Sequence, residues 1–301
     1  DDPQYIVQDI CRDLPYDYAT LLENVMDVSH VPFTHHATVG NRANASEVDL
    51  AVLAETEWGF SGIWPLGPRR GALGPQATLF KAPTLMQHKL ATDQYVAMTV
   101  VYATPTEPGK CRLLARFPFN FQSPVPRAVF GLIPTWLNHM NQNFILEDDQ
   151  IFLHVQEREA RQRASGGGGL DKTYYMPTAA DNFITAFHSW LAKAGGHPKW
   201  RGGLSNALPP LEERREVLLD RYHSHTKHCK VCSAALRNVE RGRQGAALAG
   251  VLCLAVAAVL KSRASVALAA AAVLCALAFG ALGKLRKRFL VGNYPPKRNL
   301  K

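Results

Sequence analysis

The spacing of hydrophobic positions changes several times along the chain. Residues 15–36 read as a helix: Leu14 and Pro15 open it, and Leu21, Leu22, Val25 and Met26 recur at helical spacing. Pro32 is expected to kink that helix or end its regular part. From 48 to 118 the period shortens. Leu50–Glu57, Thr78–Lys81, Gln87–Leu90, Val96–Ala103 and Leu113–Phe119 are short, β-prone segments punctuated by Gly and Pro. They predict an antiparallel sheet with turns near Gly67–Gly74 and Pro105–Gly109. Residues 126–162 return to helical character, aromatic on one face and closing on EREARQR. SGGGG at 165–169 reads as a flexible loop. Asp181–Ala194 predicts an amphipathic helix with Phe183, Phe187, Trp190 and Leu191 on its apolar side. Residues 195–216, rich in Gly and Pro, read as a linker, and no internal repeat is visible. The class is α+β, an antiparallel sheet flanked by helices.

The last third breaks this pattern. Gly245–Leu260 and Val266–Leu282 are uncharged apolar runs of 16 and 17 residues. A bilayer needs about 20 apolar residues, with ~17 near the lower limit. Neither run shows a polar face, and the short basic loop between them makes a helical hairpin, read as transmembrane, with a buried soluble helix pair as the alternative. Charge agrees. Residues 1–213 carry 17 Lys/Arg against 22 Asp/Glu, or −5, whereas 214–301 carry 17 against 3, or +14. A basic block wrapped around apolar runs points to a membrane surface and not to nucleic acid. The positive-inside bias puts both flanks, and with them the soluble part, on the side that retains positive charge. A chain of 301 residues suffices for one large domain or two smaller ones. It begins with Asp1, so a processed or truncated product is expected, with no import signal to read. Cys11, Cys111, Cys229, Cys232, Cys253 and Cys275 do not form the pattern of a secreted disulfide framework.

Two stretches carry chemistry. In NVMDVSHVPFTHH, Asn24, Asp27 and His30 share a helical face, and the Pro32 break can return His35 toward them. Two neutral imidazoles and one carboxylate make the facial triad of a non-haem Fe(II) oxygenase; zinc takes the same donors. The carboxylate can be Asp27 or one of the acids in LEDDQ at 146–150, and His36 can replace His35. In HSHTKHCKVC, the imidazoles and the thiols of Cys229 and Cys232 suit either zinc or a redox dithiol whose thiolate is favoured by Lys227 and Lys230. His88, His139, His154, His188 and His197 show no partner pattern and read as structural or surface residues. Trp58, Phe60, Trp64, Phe117, Phe119 and Phe121 offer an aromatic lining for a flat substrate, or ordinary core.

NVMDVSHVPFTHH, following DLPYDYATLLE, resembles the mononuclear-iron motif of Rieske oxygenases, and more narrowly the plant and algal pheophorbide a oxygenase group. The likeness continues in IPTWLNHMNQNFILEDDQIFLHVQER, FHSWLAKAGG and DRYHSHTKHCKVC, then in the two apolar runs. This resemblance implies a helix-grip catalytic domain with His30, His35 and Asp149 as Fe(II) ligands. It implies Asp27 as the acid bridging to a neighbouring subunit's Rieske centre, and Asn24 lining the site. Cys229 and Cys232 are implied as a thioredoxin-responsive pair. The [2Fe–2S] Rieske ligand motifs C-x-H and C-x-x-H do not occur in this sequence, so the Rieske domain is expected to be missing and the fragment alone inactive. The implied layout is an iron domain over 1–200, a linker with CxxC over 201–244, two membrane helices over 245–283 and a basic tail over 284–301. The implied partners are a tetrapyrrole, O2, ferredoxin, thioredoxin, the chloroplast envelope or thylakoid membrane, and further copies in a homotrimer, with the soluble part stromal. Pheophorbide a ring opening is the first expectation. A protochlorophyllide-type oxygenase, a redox-sensing envelope protein of the import machinery and a plain membrane-anchored structural protein are the alternatives.

Overall fold

Alternating burial fixes the sheet. In the computed structural model, which describes residues 2–165, 173–193, 208–260 and 262–293, seven strands pair antiparallel throughout. They are β1 (Ile6–Leu14), β2 (Ala51–Thr56), β3 (Gly59–Trp64), β4 (Gln76–Lys81), β5 (Leu85–Ala91), β6 (Tyr95–Glu107) and β7 (Lys110–Phe121), in the spatial order β1-β7-β6-β5-β4-β3-β2. Every second residue of β4 and of the first half of β7 is buried. That period of two is what a sheet covered on one face requires. Most of the glycine-rich loop, much of the 195–216 linker and the tail beyond Asn293 lie outside the described residues, as does His197.

Helices cover the inner face. α1 (Tyr18–Met26) starts where the Asp17 carboxylate accepts from Ala19 N, and it buries Tyr18, Ala19, Leu21, Leu22 and Met26. The expected single helix over 15–36 is instead three pieces: α1, a 3₁₀ turn over Val28–His30 and the short α2 (Val31–Thr34). The cause is local. Asp27 leaves helical geometry and caps the next turn with its side chain, which accepts from Ser29 N. α3 (Pro124–Leu132) and α4 (Thr135–Ser165) replace the single helix read over 126–162. Their separation falls at Ile133, which precedes Pro134 and is extended, as a residue before proline tends to be. α5 (Asn182–Lys193) sets Phe183 and Phe187 against Phe60 and Phe80, with ring centroids 5.1–5.8 Å apart in the pairs Phe60–Phe80, Phe60–Phe183 and Phe80–Phe187. Each such ring stabilises by roughly 1.5–3 kcal/mol on burial. Gly62 permits that approach, since a Cβ there would sit 2.2 Å from the Phe183 ring.

The chain divides into two compact units, one built on residues up to Leu219 and one on Asp220–Gly292. A short helix, α6 (Arg215–Leu218), closes the first. The second opens on a wide helical turn over Tyr222–Thr226, with Thr226 N bonded to Arg221 O and Lys227 N to Tyr222 O, both at 2.8 Å. Then come α7 (Lys230–Val259) and α8 (Arg263–Leu290), which pack on each other. Arg286 meets Glu240 at 3.0 Å, and Arg243 lies over the Phe279 ring at 4.3 Å. Both helices are long and apolar enough to cross a membrane. Leu248, Val251, Leu254, Val273, Leu274 and Leu277 are exposed, an apolar surface of the kind that meets lipid or a partner. The CxxC segment read as linker is instead the beginning of α7, with Cys229 as its N-cap.

Candidate metal centre

His30 and His35 reach one point from either side of α2. His30 ends the 3₁₀ turn, and its Nδ1 is held by the Asp27 backbone carbonyl. His35 follows Thr34, and its backbone carbonyl accepts from Gly40 N at 3.0 Å and Thr38 N at 3.1 Å. Gly40 is needed there, because a Cβ would lie 2.0 Å from Val31 O. With each Nδ1 engaged, both Nε2 atoms turn inward and lie 3.2 Å apart. Pro32 therefore sits in the first turn of α2, where a proline is tolerated, and the short helix is the spacer between the two imidazoles.

The third donor comes from α4, where three successive acids do three different things. Glu147 pairs with the buried Arg12 of β1 at 2.9 Å. Asp148 Oδ2 accepts from His35 Nδ1 at 3.3 Å. Asp149 faces the inward side, its Oδ2 3.1 Å from His35 Nε2 and its Oδ1 3.9 Å from His30 Nε2. The donor atoms of His30, His35 and Asp149 all lie within 4.8 Å of one another. Metal–ligand bonds of about 2.1 Å put neighbouring donors of an octahedral ion roughly 3 Å apart. Two of the three separations match that directly, so the donor set fits a hard or borderline divalent metal with open positions remaining.

Burial by itself would lower the His35 pKa. The hydrogen bonds and charges of Asp148 and Asp149 outweigh it and raise the value to about 9. Without a metal, His35 is therefore an imidazolium held between two carboxylates. Asp148 keeps its role when Nε2 loses its proton, since it fixes the Nδ1–H tautomer that a ligating histidine needs.

The other residues singled out in the sequence fall as follows. Asp27 Oδ2 lies 3.7 Å from His30 Nδ1, while its Oδ1 accepts from Ser29 N. Asn24 is half-buried in the last turn of α1, one turn before Asp27. His36 turns to the loop, its Nδ1 accepting from Arg42 N at 3.3 Å, so it does not replace His35. His88, His154 and His188 bond Val25 O, Pro15 O and Glu23 Oε1 at 2.7–2.8 Å, the contacts of structural histidines. The proposed aromatic lining does not form one surface. Phe60 and Trp64 are core, Trp58 is 67% exposed, and Phe119 and Phe121 stack on each other and meet the tilted ring of Phe130 of α3. A cavity of about 530 Å3 lies elsewhere, lined by Glu55, Glu57, Phe60, Trp190 and Lys193, and includes no candidate ligand. Asp148 as the partner of His35 Nδ1 was not legible from spacing; the only sequence signal was its place beside Asp149.

Among known proteins, residues 80–166 match the family model described as pheophorbide a oxygenase. The chain is 32% identical over 316 aligned residues to pheophorbide a oxygenase, chloroplastic, of Oryza sativa subsp. japonica, covering 98% of this chain and 58% of that one. It is also 32% identical to flavonoid 8-hydroxylase 2, chloroplastic, of Ocimum basilicum, covering 88% and 52%. The chain thus spans about half the length of the curated relatives it matches. The solved structure of dicamba monooxygenase bound to dicamba is similar with a TM-score of 0.46 at 16% identity, covering 64% of this chain and 60% of that one.

Proposed function

Proceeding from its homology with the pheophorbide a oxygenases, we propose that this chain holds the mononuclear-iron site of an oxygenase acting on a chlorophyll-derived tetrapyrrole, with pheophorbide a ring opening as the reaction. The observation that carries the reading is the convergence of His30, His35 and Asp149 on one point. Fe(II) held by these three would supply the binding and activation of O2, with electrons from ferredoxin delivered by a Rieske cluster whose ligand motifs this sequence does not contain.

The chain's own residues do the positioning. The Asp27 carbonyl and the Asp148 carboxylate hold the two Nδ1 atoms, so both Nε2 atoms are presented to the metal in the right tautomer. Asp149 supplies the single carboxylate. The Asp27 carboxylate, beside His30 Nδ1, is placed to link that ligand to an electron donor in a neighbouring subunit of a homotrimer. α7 and α8 hold the protein in a chloroplast membrane, envelope or thylakoid, where a lipid-partitioning pigment is concentrated. Their basic flanks keep the soluble unit on the stromal side.

A second reading rests on the Cys229/Cys232 pair at the start of α7: a protein of the import machinery that senses redox state through thioredoxin. Pigment binding separates the two. The detergent-purified chain, reconstituted anaerobically, is expected to take up one Fe(II) and to bind pheophorbide a, followed by metal analysis and quenching of protein fluorescence. Iron uptake without pigment binding, tested also with protochlorophyllide and a flavonoid, would overturn the tetrapyrrole assignment. Unchanged iron uptake in Asp149→Ala would overturn the site.

A further inference from the structure

We propose that His225, Cys229 and Cys232 form a zinc site in the second unit, independent of the iron reading. All three belong to one eight-residue stretch, HTKHCKVC. The wide turn over Tyr222–Thr226 sets the buried His225 ring back toward α7, where its Nε2 lies 3.4 Å from Cys232 Sγ. Cys229 caps α7, its Sγ accepting from Cys232 N at 3.5 Å. The donor atoms of the three residues lie within 4.8 Å of one another, and no disulfide joins the two sulfurs.

The spacing suits zinc. Zn–S bonds of ~2.3 Å and a Zn–N bond of ~2.0 Å at tetrahedral angles put sulfur and nitrogen roughly 3.5 Å apart. Zinc needs deprotonated thiols; burial and the neighbouring Cys229 push the Cys232 thiol up, so the metal itself has to displace that proton. The site is also held in shape before any metal arrives. Arg221 donates to Arg288 O at 2.7 Å and Thr226 Oγ1 to Phe289 O at 2.8 Å, which ties the turn to the end of α8. His223 is not part of the set: its side chain is exposed and paired with Asp220, and it does not join the group of converging donors. These three are the donors that the second unit itself supplies. A metal and a disulfide use the same sulfur electrons, so zinc keeps the pair reduced.

The test uses the full chain in detergent, reduced and freed of metal, titrated with Co2+ and then with Zn2+. The expected result is a thiolate-to-cobalt absorption band that saturates at one equivalent and is displaced by Zn2+. The band should persist in His35→Ala and vanish in Cys232→Ser. Cys229→Ser preserves the helix cap and should also lose it, while His225→Gln should weaken zinc binding with the helix content unchanged. Zinc should also slow alkylation of Cys229 and Cys232 but not of Cys253 and Cys275. No thiolate band in the wild-type chain, a band unchanged by either cysteine substitution, or equal alkylation with and without zinc would overturn the site. Any of these would leave the redox dithiol as the reading of the segment.

Discussion

The two histidine-containing clusters are assembled on different plans. His35 meets Asp148 across 113 positions of sequence, and it does so only because α4 packs beside the start of the chain. His225, Cys229 and Cys232 come from a single turn and the helix it leads into. The first cluster reports the whole fold of its unit; the second needs little more than one turn, one helix and the clamp from α8. A long-range site is sensitive to distant substitutions in the core, whereas a local one fails only when its own residues change.

The largest break expected is Asp149→Ala. It should abolish stoichiometric Fe(II) binding, read by metal analysis, while far-ultraviolet circular dichroism and the cobalt band of the second cluster stay unchanged. Next comes Glu147→Ala, which leaves the Arg12 guanidinium buried without its carboxylate. Stranding a buried charge costs about 3–5 kcal/mol. Urea unfolding of the first unit should shift accordingly and iron occupancy should fall, with the second cluster again spared.

pH sharpens the contrast further. The raised pKa of His35 means that the metal-free protein draws stability from the imidazolium. That contribution is fully present below pH 6.5 and is lost as pH rises through about 9. Metal uptake displaces the same proton, so apparent Fe(II) affinity should tighten about tenfold per pH unit from neutrality until pH reaches about 9. Asp148→Asn should move that dependence to lower pH; an unchanged profile would mean that Asp148 does not set the His35 proton. The smallest effect belongs to Arg112→Ala. Its pairing with Asp13 at 2.6 Å is exposed, and such pairs contribute about 0.2–1 kcal/mol. Neither cluster should register the change.

Much of the first unit was legible because its strands and helices keep a clean period. Thr78–Lys81, Val96–Ala103 and Leu113–Phe119 fall inside β4, β6 and β7, and the apolar side of Asp181–Ala194 is the buried face of α5. β1 was hidden by Arg12, a charged residue at an inward position between Ile10 and Leu14, which spoils the alternation until its partner on α4 is known. β3 was hidden because Gly59 and Gly62 interrupt its β-prone pattern: Gly59 is there for its φ of 127° and Gly62 for the close approach of Phe183. His30 stood out by spacing together with a second histidine, His35 or His36; the choice of His35 came from family resemblance. Asp149 came from family resemblance, since no local rule selects one acid among Glu147, Asp148 and Asp149. Their different roles appear only once α4 is rotated against β1 and the histidine turn.

That rotation makes α4 a phase-locked element. Successive residues on a helix point about 100° apart, so one inserted or deleted residue upstream of Glu147 would present each acid to the wrong neighbour. Arg12, His35 Nδ1 and the inward point between the imidazoles would all be mismatched together. An insertion of seven residues would bring the phase back to within about 20°. Length changes in this helix are therefore expected to be tolerated in steps of two turns and not singly, a constraint on how the segment can drift that no individual side chain imposes.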